Sequence, residues 1–181
     1  VIQSAHDAID AGIGMVHQHF MLVDNFSVLE NVVLGTEKGF SLKKSMESSK
    51  LELHRLEKEY HLEVDINSVI NTLPVGLQQR VEILKALYRG ADILILDEPT
   101  AALDPSTREH FYETIAQLNR EQGTTILLIT HDSGTIGKYA SKMLYLDHKL
   151  IFYGSFTDFC HSSDMAKYFG DSSQHLMCHQ H

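Results

Sequence analysis

Between residues 91 and 130 the hydrophobic pattern is at its simplest. Ile93, Leu94, Ile95 and Leu96 form an unbroken apolar run. A stretch over 107–122 follows in which Phe111, Tyr112, Ile115 and Leu118 recur at helical spacing, and then comes a second run, Ile126, Leu127, Leu128 and Ile129. Short continuous apolar runs alternating with an amphipathic helix predict strands buried in a parallel sheet and covered by helices. Two later apolar segments, 143–146 and 150–153, are separated by Asp147, His148 and Lys149 and predict a hairpin. The tail after Gly154 predicts a polar helix followed by a histidine-rich end.

The first half is patterned differently. Gly12, Ile13, Gly14, Met15 and Val16 predict a short buried strand. From about 27 to 70 the chain is richer in charge, and Leu51, Leu53, Leu56 and Tyr60 lie at helical spacing, which predicts helices gathered into a subdomain. Gly39 and the Ser-Lys positions after it predict a connection. The expected organisation is one domain over 1–181 containing a helical subdomain at 20–76, with a C-terminal helix and tail over 155–181. The opening residues read like the middle of a fold, so a preceding segment is expected. No repeat at a fixed period runs through the chain, which excludes solenoids.

Composition narrows the function classes. With 181 residues, 43% hydrophobic and 22% charged, the chain can bury a core and is not globally disordered. Its 15 Lys and Arg against 24 Asp and Glu give a net charge of -9, which argues against nucleic acid as a partner. No apolar run approaches the roughly 20 residues of a membrane helix. Two cysteines, Cys160 and Cys178, do not make a disulfide framework, and a reducing compartment is the expectation.

The chemistry concentrates where the first apolar run ends. Asp97 and Glu98 are adjacent acids at the carboxyl end of a strand, followed by Pro99 and Thr100. That is where open parallel sheets bind ligands. One carboxylate can hold magnesium, and its neighbour can polarise a water for attack on a phosphate. The bland alternative is a strand ending in a solvated acidic turn.

The run Leu96, Asp97, Glu98, Pro99, Thr100, Ala101, Ala102, Leu103, Asp104 resembles the Walker B motif and D-loop of ABC ATPases. Gln18, after the strand end at Val16 and His17, resembles the Q-loop glutamine. Leu73, Pro74, Val75, Gly76 and Leu77 before Gln78, Gln79 and Arg80 resemble the ABC signature, and His131 after Thr130 resembles the H-loop histidine. The resemblance extends from about Ala8 to Phe169. It implies an α/β fold, a parallel sheet flanked by helices in the RecA-like core of phosphate-loop NTPases, of ABC type and N-terminally truncated, with an inserted helical subdomain. It implies ATP and Mg2+ as cofactors, with Asp97 and Gln18 toward the metal and Glu98, His131 and Asp97 carrying hydrolysis. Gln18, Pro74, Val75, Gly76, Leu77 and Asp104 are implied to contact nucleotide, the signature positions acting on a nucleotide held by a second protomer. The implied partners are transmembrane subunits and a homo- or heterodimeric ATPase protomer, at the cytoplasmic face of the membrane.

The chain also departs from that pattern. A phosphate loop requires Gly, four residues, then Gly-Lys-Ser/Thr. Only 17 residues precede Gln18, and they contain no such sequence; the lone Gly137-Lys138 pair is followed by Tyr139. Weak ATP binding is therefore expected. Pro74 and Leu77 stand where the family usually has Ser and Gln or Glu, removing a hydroxyl and an N–H. The first half resembles nucleoside and simple-sugar importer ATPases, and the half after Pro99 to Leu103 resembles zinc and manganese importer ATPases, so a hybrid or truncated gene product is expected. The tail offers His175, Cys178, His179 and His181, types that can ligate Zn2+; a flexible tail holding no metal is the favoured alternative. The function expected is an ATP-binding subunit of an importer of metal ions, nucleosides or sugars, impaired in ATP binding. The alternative is a non-catalytic interaction fragment that binds a membrane subunit or a complete ATPase protomer.

Overall fold

The computed structural model describes residues 2–36, 42–101, 103–131, 133–169 and 178. It resolves into two compact units, Val1–Thr130 and His131–His181.

In the first unit, α1 (Ala5–Asp10) leads into β1 (Ile13–Val16), and α2 (Val28–Val33) and α3 (Leu42–Glu59) follow. A single 3-10 turn at Ile70–Thr72 precedes α4 (Val75–Tyr88), and then come β2 (Ile93–Asp97), α5 (Pro105–Gln122) and β3 (Thr125–Ile129). Local chemistry explains the boundaries. Ser27 caps α2, accepting from the Glu30 N–H while the Glu30 carboxylate accepts from the Ser27 N–H, a reciprocal capping box. Asp104 caps α5 with Pro105 at its first position, and Gly123, at φ 71°, ends it in the left-handed region open to glycine. Helix α3 begins at Leu42, so Lys43 and Lys44 of the expected Ser-Lys connection belong to the helix, whereas Gly39 lies outside the described residues.

The three strands form a parallel sheet in the order β1-β2-β3, with Gly14 opposite Leu94 and Leu94 opposite Ile126. Helix α4 packs on β1, and α2 and α3 pack on α4. Wedged between sheet and helices, α4 buries Val81, Ile83, Leu84, Ala86 and Leu87 around much of its circumference, which is why its sequence is apolar nearly all round. On the α4 side of the sheet Val16, Leu94 and Leu96 are buried. The opposite face, reached by alternate residues, leaves Met15, Leu127 and Ile129 between 44% and 47% exposed. The expectation of a short buried strand at Gly12–Val16 is met only in part: in β1 only Val16 is buried, and β3 alternates between exposed and half-buried positions.

The second unit holds a short helix α6 (Ser133–Ile136), the predicted hairpin as antiparallel β4 (Met143–Asp147) and β5 (Lys149–Gly154), and then α7 (Phe156–His161) and α8 (Ser163–Phe169). The predicted single tail helix is thus two. They break at Ser162, an extended residue whose N–H donates to the Phe159 carbonyl. Phe159, 1% exposed, sets its ring edge against Phe152 at 5.6 Å and anchors α7 to the hairpin.

Candidate functional site

The site is built first by strand register. Val16 pairs with Leu96 at the carboxyl ends of adjacent parallel strands. Gln18 therefore emerges two residues beyond the last pair, in an exposed bend, and Asp97 one residue beyond it, half-buried at the end of β2. Asp97 also pairs with Ile129 of β3, so its position is fixed from the other side. Glu98 has φ 44°, a left-handed conformation that costs a non-glycine residue roughly 1–2 kcal/mol. Its N–H donates to the Ile129 carbonyl at 2.9 Å, which holds the turn in place. Backbone strain of this kind clusters at functional sites, among other places.

Behind that turn the fold supplies a rigid support. Thr100, 3% exposed, shares a hydrogen bond of 3.1 Å between its hydroxyl and that of the fully buried Tyr112 on α5. Tyr112→Phe strands the Thr100 hydroxyl in the interior, and a loss of about 1–2 kcal/mol in unfolding free energy is expected from urea titration.

The signature-like residues lie elsewhere in the same unit. Pro74 is the N-cap of α4, at φ -55°, and offers no side-chain cap. Its carbonyl accepts from the Leu77 and Gln78 N–H groups at 2.9 and 3.1 Å. Val75 and Pro74 are exposed, and Gly76 and Leu77 half-buried. Gly76 is needed because α5 passes close by: a Cβ there would lie 2.8 Å from Thr107 Cγ2. The starts of α4 and α5 border one crevice of about 640 Å³, lined by Pro74, Gly76 and Leu77 on one side and Leu103, Asp104 and Thr107 on the other. Arg80 Nη2 and His110 Nε2, 2.7 Å apart, join the two helices.

Asp104 is engaged locally. Ser106 and Thr107 hydroxyls donate to its two oxygens at 2.6 Å each, and the backbone N–H groups of both add to them. These bonds, the Ser106 hydroxyl's foremost, hold its carboxyl well below the usual carboxylate range. Its first duty is therefore to start α5.

The structure thus brings Gln18, Asp97 and Glu98 to one sheet edge, and Pro74, Val75, Gly76, Leu77 and Asp104 to the facing starts of two helices. His131 is exposed and opens the second unit. The zinc reading needs one correction. Cys178 is disulfide-bonded to Cys160, 18 residues earlier, so its sulfur is not available as a thiolate ligand. His175, His179 and His181 lie outside the described residues, and among the described residues no cluster of three or more His, Cys, Asp or Glu could hold a metal ion. Also among the described residues, no helix is long and apolar enough to cross a membrane. Sequence reasoning missed the disulfide and the strained Glu98 backbone; two cysteines 18 residues apart were the only signal for the first, and no signal marks the second.

Asp97 and Glu98 stand at the carboxyl edge of the sheet, where open parallel sheets bind their ligands, and comparison identifies the family. The ABC transporter family model matches residues 2–101, and the chain belongs to that family. Among curated relatives, it is 46% identical over 142 residues to the nucleoside import ATP-binding protein NupA of Lactococcus lactis, covering 78% of this chain and 28% of that protein. It is also 46% identical over 120 residues to the guanosine import ATP-binding protein NupO of Bacillus subtilis, covering 66% and 24%. A methionine import ATP-binding protein, MetN of Lactobacillus delbrueckii, is 39% identical over 139 residues, covering 75% and 38%. The chain thus spans about a quarter of the length of the first two. Among solved structures, the ADP- and Pi-bound dimer of the ATP-binding cassette MJ0796 superposes with TM-score 0.63 at 28% identity, covering 84% of this chain and 68% of that one. The fold is that of ABC ATPase cassettes, a parallel sheet with flanking helices.

Proposed function

We propose that this chain supplies the hydrolytic edge and the signature helix of an ATP-binding subunit of an ABC importer. The observation that carries the reading is the pair Asp97 and Glu98 at the carboxyl end of the central parallel strand, with Gln18 leaving the neighbouring strand beside them. The oxygen donors of Asp97 and Gln18 suit a hard, octahedral ion such as Mg2+, which when bound neutralises charge on the phosphates. Asp97 would hold that ion and Glu98, as general base, would draw a proton from the attacking water. His131 is assigned to the γ-phosphate on its place after β3 in the family order.

The start of α4, through Val75 and Gly76, is assigned to the nucleotide of a second cassette, since helix N-termini present amides to anions. Pro74 and Leu77 weaken that contact by removing one hydroxyl and one polar side chain. The 181 residues contain no Gly-x-x-x-x-Gly-Lys-Ser/Thr sequence to grip the triphosphate. The stretch 20–76, containing α2 and α3, is read as the helical subdomain, and 155–181 as a C-terminal appendage. Transmembrane subunits and a second ATPase protomer are the proposed partners, at the cytoplasmic face of a membrane. The nucleoside, carbohydrate and methionine importers among the relatives favour a nucleoside or sugar over a metal ion as the solute.

The test is steady-state ATP turnover by the purified chain and by a fusion in which a segment carrying Gly-x-x-x-x-Gly-Lys-Ser/Thr from a cassette of this family precedes Val1. The chain alone should stay at background and the fusion should hydrolyse magnesium-ATP. A folded fusion that binds ATP yet never hydrolyses it would favour the non-catalytic interaction reading.

A further inference from the structure

We infer that Lys85 is a positioning residue for Gln18, an inference that rests on the role given to Gln18 above. Lys85 lies ten residues beyond Val75 on α4, and its side chain is 13% exposed. Its Nζ donates to the Met21 carbonyl at 2.7 Å, three residues after Gln18. The Glu82 carboxylate at 3.9 Å, itself 5% exposed, supplies the compensating charge. Burial pulls the ammonium below its ordinary pKa, Glu82 opposes that, and Arg89 one turn further on adds to it.

A half-buried ammonium is costly unless something specific is done with it. What Lys85 does is fasten one end of a short loop. Val16, buried against β2, fixes the other end. Immediately beyond Met21 the chain is held again: Val23 N–H donates to Asn31 Oδ1 at 2.7 Å, and Asn31 Nδ2 donates to the Val23 carbonyl at 3.1 Å. Only residues 17–20 run between the anchors, and Gln18 is among them. Arg89 makes a parallel tie, Nη2 to the Leu34 carbonyl at 2.7 Å, but at the far end of α2. Arg89 ties α4 to the end of α2, whereas Lys85 ties it to the Gln18 loop. Since α4 also carries the signature residues in its first turn, Lys85 references the Gln18 loop to the helix that presents them.

Backbone ¹⁵N relaxation on the chain itself, without nucleotide, tests the tie. In Lys85→Met the order parameters of residues 17–21 should fall toward about 0.6, the flexible range, with those of α4, β1 and β2 unchanged, and Lys85→Arg should restore them, because a guanidinium can still reach the carbonyl. Unchanged order parameters at 17–21, or a uniform fall across the unit, would overturn the inference. In the loop-completed fusion, Lys85→Met should lower turnover about tenfold in the native background and not at all in Gln18→Ala. Additive losses would equally overturn it. A fusion in which Gln18→Ala leaves ATP binding and turnover intact would instead sink the role of Gln18, while the relaxation data would still decide whether Lys85 fastens the loop.

Discussion

In the loop-completed fusion, Glu98→Gln is expected to lower magnesium-ATP turnover by about 10²–10⁴-fold, while ATP affinity stays within about threefold. The amide matches the carboxylate in size, so the left-handed turn and its bond to the Ile129 carbonyl survive; what is lost is an oxygen able to take a proton. Asp97→Asn should behave differently, weakening dependence on magnesium rather than leaving binding untouched, because Asp97 is assigned to the ion. Single-turnover hydrolysis with a parallel nucleotide-binding titration separates the two effects. Equal turnover in Glu98→Gln and the parent would remove Glu98 from the chemistry.

The second large effect falls on folding. Gly14 sits where α4 and the turn after it crowd the sheet: a Cβ there would lie 2.8 Å from the Ala86 Cβ, 3.0 Å from the Ala91 Cβ and 3.2 Å from the Leu94 side chain. Two of those atoms are methyl groups fixed directly to backbone and cannot swing away. Gly14→Val should therefore cost about 3 kcal/mol or more, read as a lower urea midpoint, with Gly14→Ala costing less. Stability unchanged in the valine variant would mean that α4 does not pack on β1 at this distance.

Much of this architecture could be read from residue order. The apolar runs at 93–96 and 126–129, the helix between them and the hairpin flanking His148 all formed close to their expected limits, because each carries its own boundary chemistry: Asp104 and Pro105, Gly123, Asp147 to Lys149. Tertiary consequences were not legible. Nothing in an apolar run tells whether one face or two will be covered, so the exposure of Met15 and Leu127 could not be foreseen. The positive φ of Glu98 had no sequence cue, since glutamate is not a residue chosen for that conformation. The bond from Lys85 to the Met21 carbonyl joins residues 64 apart, beyond any local pattern. At the site, residue types placed Gln18, Asp97 and Glu98 in a common role, and strand register placed them at a common edge.

The half-open face of the sheet bears on how tightly a divalent ion can be held. Asp97 shares its side of the strands with Met15, Ile95 and Ile129, the side that water still reaches. Opposite unit charges 4 Å apart attract by about 1 kcal/mol in bulk water, against about 4 kcal/mol where a protein surface has displaced most of the solvent. A cation held by Asp97, as proposed above, would keep more of its own hydration and feel the carboxylate through a strong dielectric screen. Covering that face would strengthen the attraction to the carboxylate and also cost both partners their hydration, so the grip on an ion would follow the difference between the two.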